Sequence, residues 1–86
     1  MNLVGIDFEM ANSIRGSICA FGFAYQDGTT EMGILALHPS AGEQERARYH
    51  HISPEKTALG LGPEALSSRL AARPSDAILV AHDARI

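Results

Sequence analysis

The sequence predicts an α/β fold built on a mixed β-sheet. Three apolar segments rich in β-forming residues come first, at residues 3–9, 17–25 and 30–37. Helical segments then lead to a fourth apolar run at residues 77–81. A strand that returns to a sheet through a helix is most easily placed parallel to an earlier strand by a right-handed crossover. We therefore expect three antiparallel strands, a helical crossover, and a fourth strand parallel to the first.

The three N-terminal strands follow from local patterns. The run from Leu3 to Phe8 predicts a central strand that ends in two carboxylates, Asp7 and Glu9. The run from Ser17 to Tyr25 is apolar on both alternating faces, which is typical of a strand covered on each side. Asp27-Gly28 predicts a tight hairpin with both residues at positive φ, so the second and third strands should pair antiparallel.

Helix signals fill the interval between the third and fourth strands. The polar stretch 40–49 indicates a surface connection or a short solvated helix. Ser53 followed by Pro54 predicts a helix start, with the serine as the N-cap. Pro63-Glu64 opens a second helix that presents Leu66 and Leu70 on one face, and Pro74 ends it.

Composition limits the classes of protein that fit. The 86 residues make at most one small domain or part of one, and 45% hydrophobic with 20% charged residues is typical of a globular protein. No apolar run approaches the roughly 20 residues that cross a bilayer, so we expect no membrane partner and a cytoplasmic location. Cys19 has no second cysteine to pair with and is expected to be a small core residue.

The charge balance excludes one mode of nucleic-acid binding. The net charge is −3, with seven Lys and Arg residues, so the chain lacks the basic surface that binds nucleic acid by phosphate neutralisation alone. An acidic protein can still bind a phosphate when divalent cations bridge the two negative partners. Any phosphate contact must therefore be local or mediated by a metal.

Asp7 and Glu9 form the motif with the clearest chemistry. Side chains two residues apart on a strand point to the same face, so both carboxylates can reach one point while Phe8 packs behind. Mg²⁺ or Mn²⁺ would relieve the repulsion between them through oxygen coordination, and two such ions can drive phosphodiester hydrolysis. The alternative is that this pair is simply the solvated end of a strand. If the fourth strand lies beside the first, His82 and Asp83 come close to this pair.

Three sequence blocks together resemble a known enzyme family. Residues 6–9 read Ile-Asp-Phe-Glu and are followed by Ala11-Asn12-Ser13, residues 50–55 read His-His-Ile-Ser-Pro-Glu, and residues 79–84 read Leu-Val-Ala-His-Asp-Ala. They resemble, in order, the first exonuclease motif, a His-Gly-Ile-Thr-Pro-Glu segment and the opening of the second motif of bacterial DEDDh 3′–5′ exonucleases. This family is related to the proofreading subunit of the replicative DNA polymerase.

The resemblance implies a fold, an activity and a set of site residues. Residues 1–86 would be the N-terminal part of a single exonuclease domain with a ribonuclease-H-like sheet. The implied activity is hydrolysis of phosphodiester bonds at single-stranded 3′ ends, with a DNA polymerase subunit as a further partner. Asp7 would bridge two Mg²⁺ or Mn²⁺ ions and Glu9 would bind one. The residues implied to contact substrate are Met10, Ala11, His82 and Asp83.

The chain also departs from the family pattern. Met10 stands where the family often has Thr, His51 where it has Gly, and Asp83 where it has Asn. Met10 could instead be ordinary core, Asp83 could cap a following helix, and His51 could alter a turn that glycine permits. The Asp of the second motif and the His and Asp of the third are absent from residues 1–86. We therefore expect this chain alone to be inactive, and the alternative is a non-catalytic module that binds nucleic acid or a polymerase.

The histidines do not indicate a zinc site. His38, His50, His51 and His82 match no compact ligand spacing, and there is no second cysteine. His82 is expected to orient the end of the fourth strand by hydrogen bonding rather than to act as a base.

Overall fold

The computed structural model describes residues 2–14, 17–37 and 42–81, which form one four-stranded sheet and three short helices. The elements are β1 (Asn2–Met10), β2 (Ile18–Tyr25), β3 (Thr30–Ile34), α1 (Ala47–His50), α2 (Pro54–Ala58), α3 (Glu64–Ala71) and β4 (Ala77–Ala81). The strand order is β3-β2-β1-β4, with β1 antiparallel to β2 and parallel to β4. The predicted mixed sheet with a helical crossover is therefore confirmed.

β1 lies in the interior of the sheet and its side chains alternate between two environments. Val4 and Ile6 are buried, whereas Leu3 and Asp7 are exposed. This period of two is what a strand imposes when one face packs on a core. The pairing with β2 runs from Val4 opposite Tyr25 to Glu9 opposite Ala20 before its register shifts. One strand therefore contributes both to the core and to a more accessible surface.

The β2–β3 hairpin differs in detail from the prediction. Only Gly28 has a positive φ, at 89°, so the expectation of two positive-φ residues is wrong for Asp27. Gly28 N–H donates to Tyr25 C=O at 3.0 Å, and the Asp27 carboxylate accepts the Thr29 N–H at 2.9 Å. The aspartate thus acts through its side chain, as in an Asx-turn, and the loop is one residue longer than a two-residue hairpin.

β3 is shorter than the predicted 30–37 and ends at Ile34. The next residue, Leu35, forms a parallel bridge with Leu61, and Ala36 N–H donates to Leu61 C=O at 2.8 Å. Leu35 N–H still donates to Cys19 C=O at 2.8 Å, so the chain here bonds both to β2 and to the segment that precedes α3. Gly60 permits this approach, because a Cβ there would come within 2.6 Å of the Ala36 backbone nitrogen.

The predicted helix starts are confirmed. Ser53 accepts the Lys56 N–H through its side chain at the start of α2, and Pro54 occupies the first helical turn. α3 begins immediately after Pro63 and ends before Pro74. α1 lies within the predicted polar connection. His38 falls outside the described residues.

One face of the sheet carries the core. The buried cluster is formed by Val4, Ile6, Phe21, Phe23 and Leu35, and α3 packs against it through Ala65, Leu66 and Leu70. The expectation that β2 is covered on both faces is wrong at its C-terminal end, where Ala24 is exposed on the opposite face. The Phe21 and Phe23 rings of β2 lie 5.5 Å apart between centroids and pack in a tilted arrangement. None of the described helices has the length and apolar character that a bilayer span requires.

Candidate functional site

The face of the sheet opposite the core holds the predicted acidic pair, and we call it the open face. Strand alternation and cross-strand register define its members, which are Leu3, Gly5, Asp7 and Glu9 of β1, Ala20, Gly22 and Ala24 of β2, Thr30, Met32 and Ile34 of β3, and Ile78 and Val80 of β4. The exposure of this face is uneven, since Asp7 and Met32 are exposed whereas Ala20 is buried. The Asp7 carboxylate can therefore remain in water here.

Asp7 and Glu9 lie on the same side of β1, as predicted. Their Cα atoms are separated by about 6.6 Å, the length of two residues of strand. Asp7 is exposed and Glu9 is half-buried, while Phe8 between them packs against the core. The strand geometry thus directs both side chains away from the apolar core, and Asp7 is the more solvated of the two.

The neighbours of the acidic pair on β2 are small. Gly22 lies opposite Asp7 and Ala20 lies opposite Glu9 in the antiparallel pairing. On the same face, Ala24 lies opposite Gly5. Because directly opposed side chains on a sheet are the closest neighbours across strands, small residues here leave space above the sheet. A ligand can therefore approach the exposed Asp7 from the open face, whereas Glu9 is half-buried and Ala20 opposite it is only 6% exposed.

The end of β1 contains a bulge that is held by two side chains. Glu9 lies opposite Ala20 and Met10 lies opposite Ile18, so Cys19 is the extra residue of β2. The Cys19 thiol donates to the Glu9 C=O, with Sγ 3.4 Å from the oxygen. His50 Nε2 lies 2.8 Å from the Met10 C=O. The backbone on each side of the bulge is thus bonded to a side chain.

The hydrogen bonds of His50 define its tautomer. Ile52 N–H donates to His50 Nδ1 at 3.1 Å, so Nδ1 is an acceptor and carries no proton. The neutral ring then carries its proton on Nε2 and donates it to the Met10 C=O. His50 therefore links the end of β1 to the segment between α1 and α2.

The thiol of Cys19 belongs to the core, as predicted. Burial raises the pKa of Cys19, and the negative charge of Glu9 raises it further, while a backbone hydrogen bond opposes the shift. A raised pKa disfavours the thiolate, which is the reactive form. Cys19 is therefore a packing residue and a weak hydrogen-bond donor.

The loop that follows β1 is tightly bonded. Ala11 is buried, its N–H donates to Ser17 C=O at 2.8 Å, and its C=O accepts the Arg46 N–H at 3.0 Å. Asn12 accepts the Ile14 N–H through Oδ1 and donates through Nδ2 to Glu43 C=O, both at 2.8 Å. Ala11 and Asn12, which follow the acidic strand, thus close this loop.

Four further residues were predicted to contact substrate, and the structure describes two of them. Met10 is half-buried opposite Ile18, and the side chain of Ala11 has no exposed surface. The described parallel pairing of β1 with β4 ends at Ile6 beside Ala81, one residue before Asp7. His82 and Asp83 lie outside the described residues. The substrate-binding roles of all four residues stay predictions.

The donors present fit a hard divalent cation in chemical type. Mg²⁺ commonly binds proteins through one or two carboxylates and completes its coordination with water and substrate phosphate oxygens, which suits Asp7 and Glu9. Across residues 2–14, 17–37 and 42–81, no group of three or more His, Cys, Asp or Glu side chains is arranged to hold a metal ion. The described site is therefore an acidic pair rather than a complete cage.

The turn at His51 retains an unusual backbone angle. His51 has φ 62° and ψ 21°, the left-handed conformation that glycine adopts most readily, and its N–H donates to Ala47 C=O at 2.7 Å. From the sequence, His51 could alter a turn that glycine permits, and the residue itself adopts an angle that glycine adopts readily. The histidine therefore occupies a position of local strain at the C-terminus of α1.

Sequence reasoning missed two features of this site. The role of His50 depends on a contact with Met10 forty residues away, so no local pattern indicates it. The small residues beside the acidic pair could have been found, since the hairpin register predicts which β2 residues oppose Asp7 and Glu9.

A scan of protein-family models finds no match to the sequence, and a search of curated proteins finds no significant relative.

Proposed function

We propose that the chain carries the first acidic motif of a metal-dependent 3′–5′ exonuclease with a ribonuclease-H-like fold. Asp7 and Glu9 would hold Mg²⁺ or Mn²⁺ against a phosphodiester of single-stranded nucleic acid. The observation that supports this most is the pair itself, two carboxylates on the open face with Gly22 and Ala20 beside them. The parallel pairing of β1 with β4 is consistent with the strand order expected for this fold.

The roles of the protein residues follow from their positions. Asp7 and Glu9 would supply anionic oxygens, and Gly22 opposite Asp7 would leave room for a nucleotide backbone. When bound, divalent cations supply positive charge for the phosphate and lower the pKa of a coordinated water. This contribution is needed because the chain carries a net charge of −3 and would otherwise repel its substrate.

Catalysis requires more groups than the acidic pair. A base must lie within hydrogen-bond reach of the attacking water, and further ligands must complete the metal coordination. We propose that these groups correspond to the second and third motifs of the family, with His82 and Asp83 close to the first of them. The acidic pair by itself is expected to bind metal weakly and not to support cleavage.

A second candidate is a non-catalytic module that binds a protein partner such as a polymerase subunit. The observation in its favour is exposed apolar side chains on the open face, Ile78 and Val80 on the edge strand β4 and Met32, 85% exposed, on the opposite edge strand β3. Exposed apolar surface of this kind is typical of protein interfaces. The two candidates differ in whether the carboxylates of Asp7 and Glu9 are required for binding.

A metal titration tests the exonuclease proposal. Mn²⁺ binding is measured by electron paramagnetic resonance on the wild type, on Asp7→Asn, and on Asp76→Asn as a matched control. Asp76 is an exposed carboxylate in the turn before β4, so its substitution removes the same charge away from the pair. We expect Asp7→Asn to lower the affinity at least about tenfold, roughly 1.4 kcal/mol, and the control to leave it unchanged. Equal affinity in all three proteins would contradict the metal assignment.

Nucleic-acid binding separates the two candidates. A labelled single-stranded oligonucleotide is titrated with the protein in Mn²⁺ or in EDTA, and binding is followed by fluorescence anisotropy. The exonuclease proposal predicts binding that requires Mn²⁺ and Asp7. Binding that persists in EDTA and in Asp7→Asn favours the non-catalytic module. An extended chain that contains the family's later motifs should also degrade the oligonucleotide from its 3′ end, and Asp7→Ala in that chain should abolish the activity.

A further inference from the structure

The bulge at the end of β1 determines how Glu9 is presented. A β-bulge increases local twist and changes the direction of nearby side chains, so it persists only where other contacts hold it. Here the two consecutive carbonyls of β1 on either side of the register shift accept bonds from Cys19 and His50. The His50 bond is the shorter of the two and connects residues far apart in the sequence.

We infer that His50 is a positioning residue for Glu9, an inference that rests on the proposed metal-binding function of the acidic pair. Its Nε2–H donates to the Met10 C=O and holds the peptide that follows Glu9. Loss of this bond lets the bulge relax, so the Glu9 carboxylate samples directions away from Asp7. Hydrogen bonds made directly to metal ligands typically change metal affinity by about 10–100-fold, and a bond to the adjoining peptide should act near the lower end of that range.

The two ring nitrogens of His50 have separable tasks. Nδ1 accepts from Ile52 N–H and shapes the local turn, whereas Nε2 reaches across to Met10. An asparagine can accept from Ile52 but is too short to reach Met10. A glutamine can place an amide N–H where Nε2 lies. The pair His50→Asn and His50→Gln therefore separates the turn from the contact with β1.

The first measurement uses the metal-free protein. Nitrogen-15 NMR reports the His50 tautomer, and three-bond couplings between Hα and Hβ of Glu9 report its rotamer. We expect the Nε2–H tautomer and a single Glu9 rotamer in the wild type, averaged couplings in His50→Asn, and a return toward wild type in His50→Gln. Unchanged Glu9 couplings in a folded His50→Asn would overturn the inference, and so would an Nδ1–H tautomer in the wild type.

The second measurement is Mn²⁺ affinity in the same variants. We expect about a tenfold loss in His50→Asn and near-complete recovery in His50→Gln. Two controls report non-specific effects. His51→Ala removes the adjacent imidazole, and Tyr25→Phe removes a hydroxyl hydrogen bond opposite Val4, near the far end of β1. Equal losses in His50→Asn and Tyr25→Phe would overturn the positioning role.

The two proposals fail in different ways. If the wild type and Asp7→Asn bind Mn²⁺ alike, the metal-binding function is wrong, and the Glu9 couplings still decide whether His50 orients that side chain. If Asp7 is required for metal but His50→Asn binds Mn²⁺ like the wild type, the function stands and the positioning role is overturned.

Discussion

The two faces of the sheet use the same strands for different purposes. The core face places Val4 and Ile6 of β1 against the rings of β2 and the apolar side of α3. The open face, one residue out of phase, places Asp7 and Glu9 beside glycine and alanine. Alternation therefore lets a single strand carry large apolar side chains for stability and carboxylates for binding without either group entering the other's environment.

This difference teaches where a substitution should act. A change on the core face alters packing and should lower the free energy of unfolding. A change on the open face should leave stability nearly unchanged and alter what the surface binds. The first two predictions below compare positions on the two faces, and two more concern the turn beside β1 and the edge of the core face, from the largest expected effect to the smallest.

Truncation of a large side chain to alanine should give the largest difference in stability between the two faces. Phe21 is 5% exposed within the core cluster, and Met32 on the open face is 85% exposed. Phe21→Ala should lower the free energy of unfolding by about 3–5 kcal/mol, because it removes buried surface and leaves a cavity. Met32→Ala should change it by less than about 0.5 kcal/mol. Urea unfolding followed by circular dichroism measures both, and a similar loss in the two variants would contradict the assignment of the faces.

Gly22 of β2 and Gly33 of β3 offer a closer match, because substitution by alanine adds the same methyl group at both positions. A Cβ at Gly33 would come within 2.6 Å of Phe21 Cζ, whereas at Gly22 the nearest atom is Glu31 O at 3.8 Å. Gly33→Ala should therefore cost about 1–3 kcal/mol through overpacking. Gly22→Ala should be close to neutral in the same unfolding assay. The comparison fails if Gly22→Ala is the more destabilising substitution.

The turn that supports the end of β1 should gain stability from glycine. A non-glycine residue in the left-handed region destabilises the folded state by about 1–2 kcal/mol. Glycine removes this strain, but its greater freedom in the unfolded chain offsets part of the gain. His51→Gly should therefore raise the free energy of unfolding by up to about 1 kcal/mol. His51→Ala is the control, because alanine meets the same strain at φ 62°. Equal stability of the two variants would show that the angle is not strained.

The smallest expected effect is on the pH dependence of stability, through Tyr25 at the edge of the core face. The Tyr25 hydroxyl donates to Glu31 Oε1 at 2.6 Å, and this bond raises the pKa of Tyr25. A raised folded-state pKa contributes stability that is full below the unfolded value of about 10 and is lost as pH rises through the folded value. Stability should therefore fall above about pH 10. In Tyr25→Phe the urea midpoint should depend less on pH in this range. In the control Tyr49→Phe it should keep the pH dependence of the wild type.

Much of the fold could be predicted because it depends on local patterns. Strand alternation placed Asp7 and Glu9 on one side, and Ser53 with Pro54 predicted the start of α2. The helical segment between β3 and β4 predicted the parallel return to β1. Each of these depends on steric or hydrogen-bonding preferences that act within a few residues or one connection.

The remaining features were decided by tertiary structure. The end of β3 depends on Leu61, and the bulge at Glu9 depends on Cys19 and on a histidine forty residues from Met10. Which side of the sheet stays open depends on where α3 packs. The sequence by itself therefore determined which side chains share a face, because the strand repeat is local. Only the folded chain determined which face is covered and how the acidic pair is held, because those contacts join segments that the backbone does not connect directly.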